Sequence, residues 1–218
     1  MRLFLDTASI DECRAAAKLG VISGVTTNPS LWARAGGGDY RDIILEIAAI
    51  IEGPISAECL SRDVEGLVEE ARRVAGWHPN VVVKIPIDEV GLEAISRLSK
   101  EGVKVNTTLV FSTNQALLAA QAGATYVSPF VGRLDDIGQE GMAVVREIVE
   151  IFDRYHMPTQ VLAASLRHPL HVVQAAQAGA HIATMPYAVF QAMFKHPLTD
   201  AGIQKFLEDA RKAAKVKA

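Results

Sequence analysis

Val81-Val82-Val83-Lys84-Ile85-Pro86-Ile87 is a short run of mostly β-branched residues with a single charged member, Lys84. Because β-branched side chains favour extended backbone, the run predicts a buried strand. Similar runs recur along the chain and are separated by longer segments with helical periodicity, the pattern of βα units around a parallel sheet. We count about eight such units, the number that a closed (β/α)8 TIM barrel needs. The sequence therefore predicts an α/β barrel.

The predicted strands are short apolar runs, and several of them carry polar residues near their carboxyl ends. They cover residues 3–6, 24–28, 55–59, 81–85, 103–109, 126–130, 160–164 and 181–185. Amphipathic segments such as 42–52 and 141–155 lie between them and are expected to form the outer ring of helices. Glycines that precede predicted strands are expected as left-handed helix C-caps, namely Gly20, Gly53, Gly76, Gly102, Gly123 and Gly179.

A last helix is expected at about residues 200–215, beyond the eighth unit, with Phe206 on one face. It either docks on a neighbouring subunit or closes the open end of the barrel. With 218 residues and 50% hydrophobic content, the chain fits one large domain over residues 1–218.

Charge and composition favour small-molecule chemistry. The net charge of −3, with both signs interspersed, provides no basic face for nucleic acid and no polybasic membrane anchor. The N-terminus has no signal-peptide pattern, and no apolar stretch approaches the length of a membrane span, so we expect a cytoplasmic protein. Cys13 and Cys59 form no CxxC pair and are expected to be reduced.

Lys84 is unusual because an ammonium among Val and Ile loses hydration that only a partner or a pKa shift can recover. A neutral amine is the expected state, and it would be a nucleophile suited to Schiff-base chemistry. The alternative is a lysine whose stem packs in the strand while its head lies in water. Its surroundings in the fold decide between the two.

Polar residues cluster at or just after the carboxyl ends of the predicted strands, which form the catalytic end of a barrel. In chain order they are Asp6, Asn28, Glu58, Lys84, Asn106, Thr108, Ser128 and Ser165. Strand residues two apart share a face, so Asn106 with Thr108, and Ser128 with Phe130, are expected to point inward at successive layers.

Each of these residues also has a structural explanation. Asp6 could cap the following helix, and Asn28 before Pro29 suits an Asx turn. Ser128 could be part of a turn, and Phe130 could belong to the core. Burying so many polar groups in a core would nevertheless cost free energy. Together these residues therefore indicate a functional site.

Imine chemistry offers each polar group a role. Glu58 or Asp6 could deliver and remove protons near Lys84, and Thr108 could hold a water. Asn28 and Asn106 could hydrogen-bond the hydroxyls of a polyol without adding charge.

A second cluster suits an anion. Arg133 follows the sixth strand, and Ser165 and Arg167 follow the seventh, just before a helix predicted to begin near His168. Guanidinium groups, a hydroxyl and a helix N-terminus favour a phosphate. Alternatively, Arg133 could pair on the surface with one of the acidic residues 135 and 136.

His168 and His171 lie three apart on the same predicted helix and have no third ligand beside them. A single helical pair is weak evidence for a metal site. We expect surface residues here, and no metal or other cofactor.

Six motifs in order resemble one known family: Leu5-Asp6-Thr7, Gly24-Val25-Thr26-Thr27-Asn28-Pro29-Ser30, Val83-Lys84-Ile85-Pro86, Asn106-Thr107-Thr108-Leu109-Val110-Phe111-Ser112, Ser128-Pro129-Phe130-Val131-Gly132-Arg133 and Ala163-Ala164-Ser165-Leu166-Arg167. The family is the transaldolases, in their short, transaldolase B-like or fructose-6-phosphate-aldolase-like branch. The resemblance covers nearly the whole chain and implies a (β/α)8 barrel with metal-independent Schiff-base chemistry.

The resemblance also implies a role for each site residue. Lys84 forms the Schiff base, and three residues handle protons and the catalytic water: Asp6, Glu58 and Thr108. Three hold the dihydroxyacetone unit, namely Asn28, Asn106 and Ser128, and three bind the phosphate, namely Arg133, Ser165 and Arg167.

The implied reaction moves a dihydroxyacetone unit from sedoheptulose 7-phosphate to glyceraldehyde 3-phosphate in the pentose phosphate pathway. The products are erythrose 4-phosphate and fructose 6-phosphate. The short branch commonly forms pentamer-based rings, often decamers, so a homo-oligomer is implied, and the expected partners are sugar phosphates.

Two positions bear on whether the bound unit is transferred or released. The fructose-6-phosphate aldolases have Gln where this chain has Glu58, and Tyr where it has Phe130. A Tyr hydroxyl could orient water or a proton toward the carbanion, whereas Phe cannot, so the resemblance favours a transaldolase. The alternatives are a fructose-6-phosphate aldolase and a non-catalytic sugar-phosphate-binding barrel.

Overall fold

Parallel strands close into a barrel in the computed structural model, which describes residues 1–215. Each strand pairs with its neighbours in sequence, and the first pairs with the eighth. The strands are β1 (Arg2–Asp6), β2 (Ile22–Thr26), β3 (Ile55–Glu58), β4 (Val81–Pro86), β5 (Val105–Val110), β6 (Tyr126–Pro129), β7 (Gln160–Ala163) and β8 (Ile182–Met185). The predicted TIM barrel is confirmed.

Helices follow the strands and cover the outside of the barrel. They are α1 (Ile10–Ala17), α2 (Pro29–Arg34), α3 (Tyr40–Ile50), α4 (Val64–Ala75), α5 (Glu89–Lys100), α6 (Thr113–Gln121), α7 (Val131–Asp135), α8 (Gly141–Arg154), α9 (Pro169–Gln177), α10 (Tyr187–Ala192) and α11 (Pro197–Lys215). None of the helices in the described part of the chain is both long enough and apolar enough to cross a membrane.

The predicted strand ends differ from the structure by up to two residues. The second strand ends at Thr26 rather than at Asn28, because Asn28 is already the N-cap of α2. Its carboxamide oxygen accepts the Leu31 N–H at 2.9 Å. The fifth strand begins at Val105, two residues later than expected.

The glycine C-caps are partly as predicted. Positive φ angles occur at four of the six glycines, namely Gly20, Gly102, Gly123 and Gly179. The prediction is wrong for Gly76, whose φ is −74°, and for Gly53, whose φ is also outside the left-handed range. At Gly53 a Cβ would lie 1.8 Å from the Ser23 carbonyl oxygen, so close backbone packing excludes a side chain.

The barrel interior is filled by bulky side chains below a polar upper layer. Phe4, Val82, Tyr126 and Leu162 form a buried cluster inside the barrel, with Phe130 packed against it. Lys84 follows Val82 by two residues on β4, so its side chain enters the interior one layer higher. The apolar floor therefore positions the charged and polar groups at the carboxyl end of the strands.

The C-terminal helix is present but does not close the barrel. α11 begins three residues earlier than expected, at Pro197. Its residues from 197 to 214 are exposed, apart from the half-buried Gly202. A helix that covered the barrel would bury one face, and Phe206 is instead 75% exposed.

Candidate active site

A cavity of about 560 Å³ opens at the carboxyl ends of the strands. It is lined by every predicted site residue except Asn106, namely Asp6, Asn28, Glu58, Lys84, Thr108, Ser128, Phe130, Arg133, Ser165 and Arg167. Residues that are far apart in sequence therefore meet in one place because eight strand ends meet there.

Lys84 is buried beside a carboxylate. Its side chain is 5% exposed, and Nζ lies 3.0 Å from Glu58 Oε2. Nζ also donates to the Thr27 carbonyl oxygen at 3.1 Å. Strand register explains the pair, because Glu58 on β3 is directly opposite Lys84 on β4.

The structure adds a charged partner to the apolar surroundings expected for Lys84. The sequence around Lys84 contains no other charge, but the neighbouring strand provides one. An ionised carboxylate at 3.0 Å offsets the lost hydration of an ammonium. Burial of Lys84 does not by itself require the neutral amine, and Glu58 is close enough to exchange a proton with it.

Asp6 is the second carboxyl group of the cavity and does not cap α1, because Ser9 does. Asp6 Oδ1 accepts a hydrogen bond from Thr26 Oγ1 at 2.7 Å, and Thr26 in turn contacts Thr184 Oγ1 at 2.7 Å. Loss of hydration raises the pKa of Asp6, and the positive charge of Lys84 opposes this rise only in part. Asp6 thus holds a proton more readily than an exposed aspartate.

Asn106 and Thr108 lie on the same strand but have different surroundings. Asn106 is fully buried, and its amide donates to Ser56 Oγ at 3.0 Å. Its carbonyl oxygen accepts from Ser128 Oγ at 2.6 Å, so Asn106 orients Ser128 from beneath the cavity. Thr108 lines the cavity, and its buried hydroxyl has no hydrogen-bond partner among residues 1–215. That hydroxyl is available to a substrate or a water.

Arg133 lies beside Phe130, with its guanidinium carbon 5.2 Å from the ring centroid. This geometry is a cation–π contact. Arg133 does not form the alternative ion pair with the acidic residues that follow it. Asp136 pairs with Arg167, and Asp135 contacts His171. Arg133 Cζ therefore stays against an aromatic face in the cavity wall.

The seventh strand leads into the loop that carries Ser165 and Arg167. Ser165 has φ +58°, a left-handed conformation that is uncommon outside glycine. Arg167 Nη2 lies 2.6 Å from Asp136 Oδ2 in an exposed ion pair. Both residues line the cavity beside Arg133, so the predicted anion-binding residues are close together.

The expectation of two surface histidines is wrong for His171. His171 is 8% exposed, and its Nε2 lies 3.2 Å from Asp135 Oδ2. His168 is the N-cap of α9 and accepts the His171 N–H at 3.3 Å. Within residues 1–215, no three His, Cys, Asp or Glu side chains are grouped so that they could hold a metal ion.

Several residues near the site were not predicted. Ser30 and Arg34 of α2 and Thr184 of β8 line the cavity. Segments that directly follow barrel strands form the catalytic face, so the position of α2 after β2 could have identified Arg34 as a site residue. Tyr40 of α3 had no such signal, yet its hydroxyl accepts the Glu58 N–H at 3.1 Å and lies 2.6 Å from Thr27 Oγ1.

Comparison with known proteins agrees with this geometry. The sequence profile of the family described as Transaldolase/Fructose-6-phosphate aldolase matches residues 3–217. A probable transaldolase of Heliobacterium modesticaldum is 61% identical over 209 residues, which are 96% of this chain and 97% of the relative. A probable transaldolase of a Thermoanaerobacter species is 60% identical over 98% of both chains.

A third relative, probable transaldolase 1 of Listeria monocytogenes, is 54% identical over 99% of this chain and 100% of its own length. Similarity at this level extends across the barrel and the C-terminal helix. The chain belongs to the transaldolase/fructose-6-phosphate aldolase family of enzymes.

Proposed function

We propose that this protein is a transaldolase of the pentose phosphate pathway. It transfers a three-carbon dihydroxyacetone unit from sedoheptulose 7-phosphate to glyceraldehyde 3-phosphate and forms erythrose 4-phosphate and fructose 6-phosphate. The observation that carries the proposal is the buried amine of Lys84 at the cavity wall, 3.0 Å from the Glu58 carboxylate. The similarity to proteins named probable transaldolase along almost their full length supports the same reaction.

Lys84 is the nucleophile of the proposed reaction. Its neutral amine attacks the ketone carbon and forms a carbinolamine, which loses water to give a protonated imine. Glu58 takes a proton from Lys84 Nζ across the 3.0 Å contact and returns protons for the loss of water, directly or through a water molecule. Thr108, whose hydroxyl lacks a protein partner, is the candidate to hold that water.

Asp6 is the proposed base for carbon–carbon cleavage. It accepts the proton of the hydroxyl on the carbon being cleaved, and the electron pair of the broken bond moves into the protonated imine. The aldose phosphate leaves, and an enamine remains on Lys84. When the acceptor aldehyde binds, the enamine attacks it and Asp6 returns the proton. A raised pKa makes Asp6 a stronger base than an ordinary carboxylate.

The anion-binding residues are proposed to hold the phosphate of both aldoses. Arg133, Ser165 and Arg167 provide two guanidinium groups and a hydroxyl. Guanidinium binds phosphate bidentately, so the phosphate competes with Asp136 for Arg167. Asn28, Asn106 and Ser128 are proposed to hold the hydroxyls of the dihydroxyacetone unit, and Asn106 also orients Ser128.

Transfer, rather than release, requires that water not protonate the enamine before the acceptor arrives. Phe130 lines the cavity and packs against the apolar interior cluster. Because its ring has no hydroxyl, it cannot direct a water or a proton toward the enamine. A fructose-6-phosphate aldolase is the second candidate, because the family includes both activities.

A kinetic comparison separates the two candidates. The rate of fructose 6-phosphate consumption is measured with and without erythrose 4-phosphate, under otherwise identical conditions. A transaldolase consumes fructose 6-phosphate rapidly only when the acceptor is present. Equal rates with and without the acceptor would identify an aldolase and reject the transaldolase proposal.

We further propose that the chain is one domain over residues 1–218 and that it works in the cytoplasm as a homo-oligomer, a pentamer or decamer by family resemblance. Exposed apolar side chains support the assembly. Phe194, Leu198 and Phe206 are 57%, 76% and 75% exposed, and the last two lie on α11. Exposed apolar groups that occur close together in sequence are typical of a surface that pairs with another chain.

A further inference from the structure

The loop after β7 is attached to the short helix α7. The Val131 N–H donates to the Ala164 carbonyl oxygen at 3.0 Å, and the Gly132 N–H donates to the Ser165 carbonyl oxygen at 3.0 Å. Arg133 belongs to α7, while Ser165 and Arg167 belong to the loop. The geometry of the anion-binding group therefore depends on how firmly the loop is fixed to α7.

The loop has an uncommon backbone and little free space around it. A left-handed φ at a residue other than glycine costs free energy and persists only when the surroundings enforce it. Ser165 has such a φ, +58°. A Cβ on Gly132 would lie 2.4 Å from the Ser165 carbonyl oxygen and 2.7 Å from Arg167 Cγ. The loop thus needs contacts that hold it in place.

His171 contacts both the loop and α7 through its two ring nitrogens. Nδ1 accepts the Arg167 main-chain N–H at 3.2 Å. Nε2 lies 3.2 Å from Asp135 Oδ2, at the end of α7. Asp135 is itself fixed, because its Oδ1 accepts the Gly141 N–H at 2.9 Å.

These contacts define one tautomer of the ring. Since Nδ1 accepts a hydrogen bond it carries no proton, and the proton on Nε2 is donated to Asp135. Burial lowers the pKa of His171, with help from the neighbouring His168, so the neutral ring is favoured. A neutral ring with the proton on Nε2 satisfies both partners at once.

We propose that His171 is a positioning residue that sets the affinity for phosphorylated sugars by holding the Arg167 backbone against α7, without itself touching the substrate. The proposal rests on the proposed function, in which Arg133, Ser165 and Arg167 bind phosphate. It assigns His171 no part in the imine chemistry at Lys84. The expected effect is therefore on substrate binding rather than on the chemical steps.

Two substitutions test which contact matters. His171→Ala removes both ring contacts, whereas His171→Asn keeps a side-chain oxygen near the position of Nδ1. We expect the KM for fructose 6-phosphate, at saturating erythrose 4-phosphate, to rise roughly tenfold in His171→Ala while kcat changes less than about threefold. His171→Asn is expected to recover much of the loss. Equal KM values for the Ala and Asn variants would overturn the role given to Nδ1.

A matched control comes from His181, whose Nδ1 accepts the Val161 N–H at 3.1 Å just before β8, at the opposite end of the barrel. His181→Ala tests the loss of a similar contact far from the cavity and is expected to leave KM unchanged. Should His171→Ala fail to fold, His171→Gln replaces it, because it keeps a donor for Asp135 and loses the acceptor for Arg167. The same rise in KM is expected.

A substrate without phosphate separates this inference from the proposed function. Borohydride trapping with dihydroxyacetone should give the same adduct yield in the wild type and in His171→Ala, because no phosphate is involved. An unchanged KM in His171→Ala, or a parallel loss of the dihydroxyacetone adduct in the folded variant, would overturn the inference. Absence of any adduct in the wild type would instead reject the proposed function.

Discussion

Lys84 and Glu58 form an ion pair at a position where both side chains are largely removed from water. A buried pair of this kind contributes little net stability, but removal of one partner leaves an uncompensated charge and typically costs about 3–5 kcal/mol. The pair is therefore better explained by chemistry than by stability. In the proposed reaction, the two groups are a nucleophile and a proton acceptor in direct contact.

Asp6 permits a pH-dependent test at the scale of a single residue. Because its pKa is raised, the folded protein binds more protons than the unfolded chain between the ordinary aspartate value of 3.8 and the folded pKa. Stability then decreases as pH rises through this window. Asp6→Asn is expected to raise the melting temperature at pH 7, with a gain that shrinks as pH falls and vanishes below about 3.8.

The same substitution removes the proposed base, so transfer activity should fall about 100-fold or more. Thermal unfolding at a series of pH values and steady-state kinetics at pH 7 measure the two effects. A melting temperature that is lower than wild type at pH 7, or activity within a few-fold of wild type, would contradict the assignment of Asp6.

Phe130 permits a test of transfer against release. Phe130→Tyr places a hydroxyl beside the enamine, where it orients water or a proton. We expect the ratio of acceptor-free cleavage of fructose 6-phosphate to transfer to increase about tenfold, equivalent to about 1.4 kcal/mol. Phe111→Tyr is the control. The Phe111 ring packs edge-on against Phe130, with 5.8 Å between the ring centroids, but Phe111 does not line the cavity. An unchanged ratio in Phe130→Tyr would remove the physical reason for a transferase.

At the scale of elements, the upper ends of two strands carry uncommon backbone. Leu109, in β5, and Ser165, after β7, both have φ +58°, and both line the cavity. The ladder between β5 and β6 also changes register between Thr107 and Val110. Local departures from regular geometry are common at functional sites, where the surroundings enforce them. Here they occur at the catalytic end of a regular barrel.

Gly53 and Gly76 form a matched pair for testing how elements pack. A Cβ at Gly53 would overlap the Ser23 carbonyl oxygen at 1.8 Å, whereas at Gly76 the nearest atom is 3.4 Å away. We expect Gly53→Ala to destabilise the protein by about 1–3 kcal/mol or more. Gly76→Ala should stabilise it by roughly 0.4–1 kcal/mol, because φ −74° suits alanine. Urea unfolding measures both, and similar effects of the two substitutions would contradict the packing at Gly53.

Hydrophobic periodicity was sufficient for the barrel, because each βα unit repeats the same local pattern. Local pattern also places Lys84 in a strand and offers Glu58 or Asp6 as its proton partner. It could not choose between the two, since the contact with Glu58 depends on register between strands. The same reason applies to His171, whose partners Asp135 and Arg167 belong to two other segments. The sequence places Asn106 on the inward face of its strand, but only the structure shows that its carbonyl oxygen accepts a hydrogen bond from Ser128 Oγ.

At the scale of the whole molecule, α11 leaves almost all of its residues from 197 to 214 exposed instead of packing them on the barrel. Leu198, Ile203, Phe206 and Leu207 are all at least 48% exposed on this helix. The outer helices of the barrel instead bury their apolar residues against the strands, as Leu67 and Val68 of α4 do. The proposed homo-oligomer would bury these apolar residues against a second copy of the chain.

Phe206→Glu tests this contact, because a charge in an apolar interface opposes assembly. We expect the oligomer measured by light scattering in the wild type to dissociate, at least in part, at micromolar concentration. Gln121→Glu is the control, since it adds the same charge at an exposed position of α6. An unchanged mass in Phe206→Glu, or a monomeric wild type, would contradict an interface on α11.

Lys84 is proposed to carry the substrate as an imine, and chemical trapping tests this role most directly. The protein is incubated with fructose 6-phosphate, reduced with borohydride and weighed by intact mass spectrometry. The wild type and Lys104→Ala, which alters an exposed lysine just before β5, are expected to gain the mass of one reduced dihydroxyacetone unit. Lys84→Ala is expected to gain none. A wild type without the adduct, or an equal adduct in Lys84→Ala, would contradict the claim.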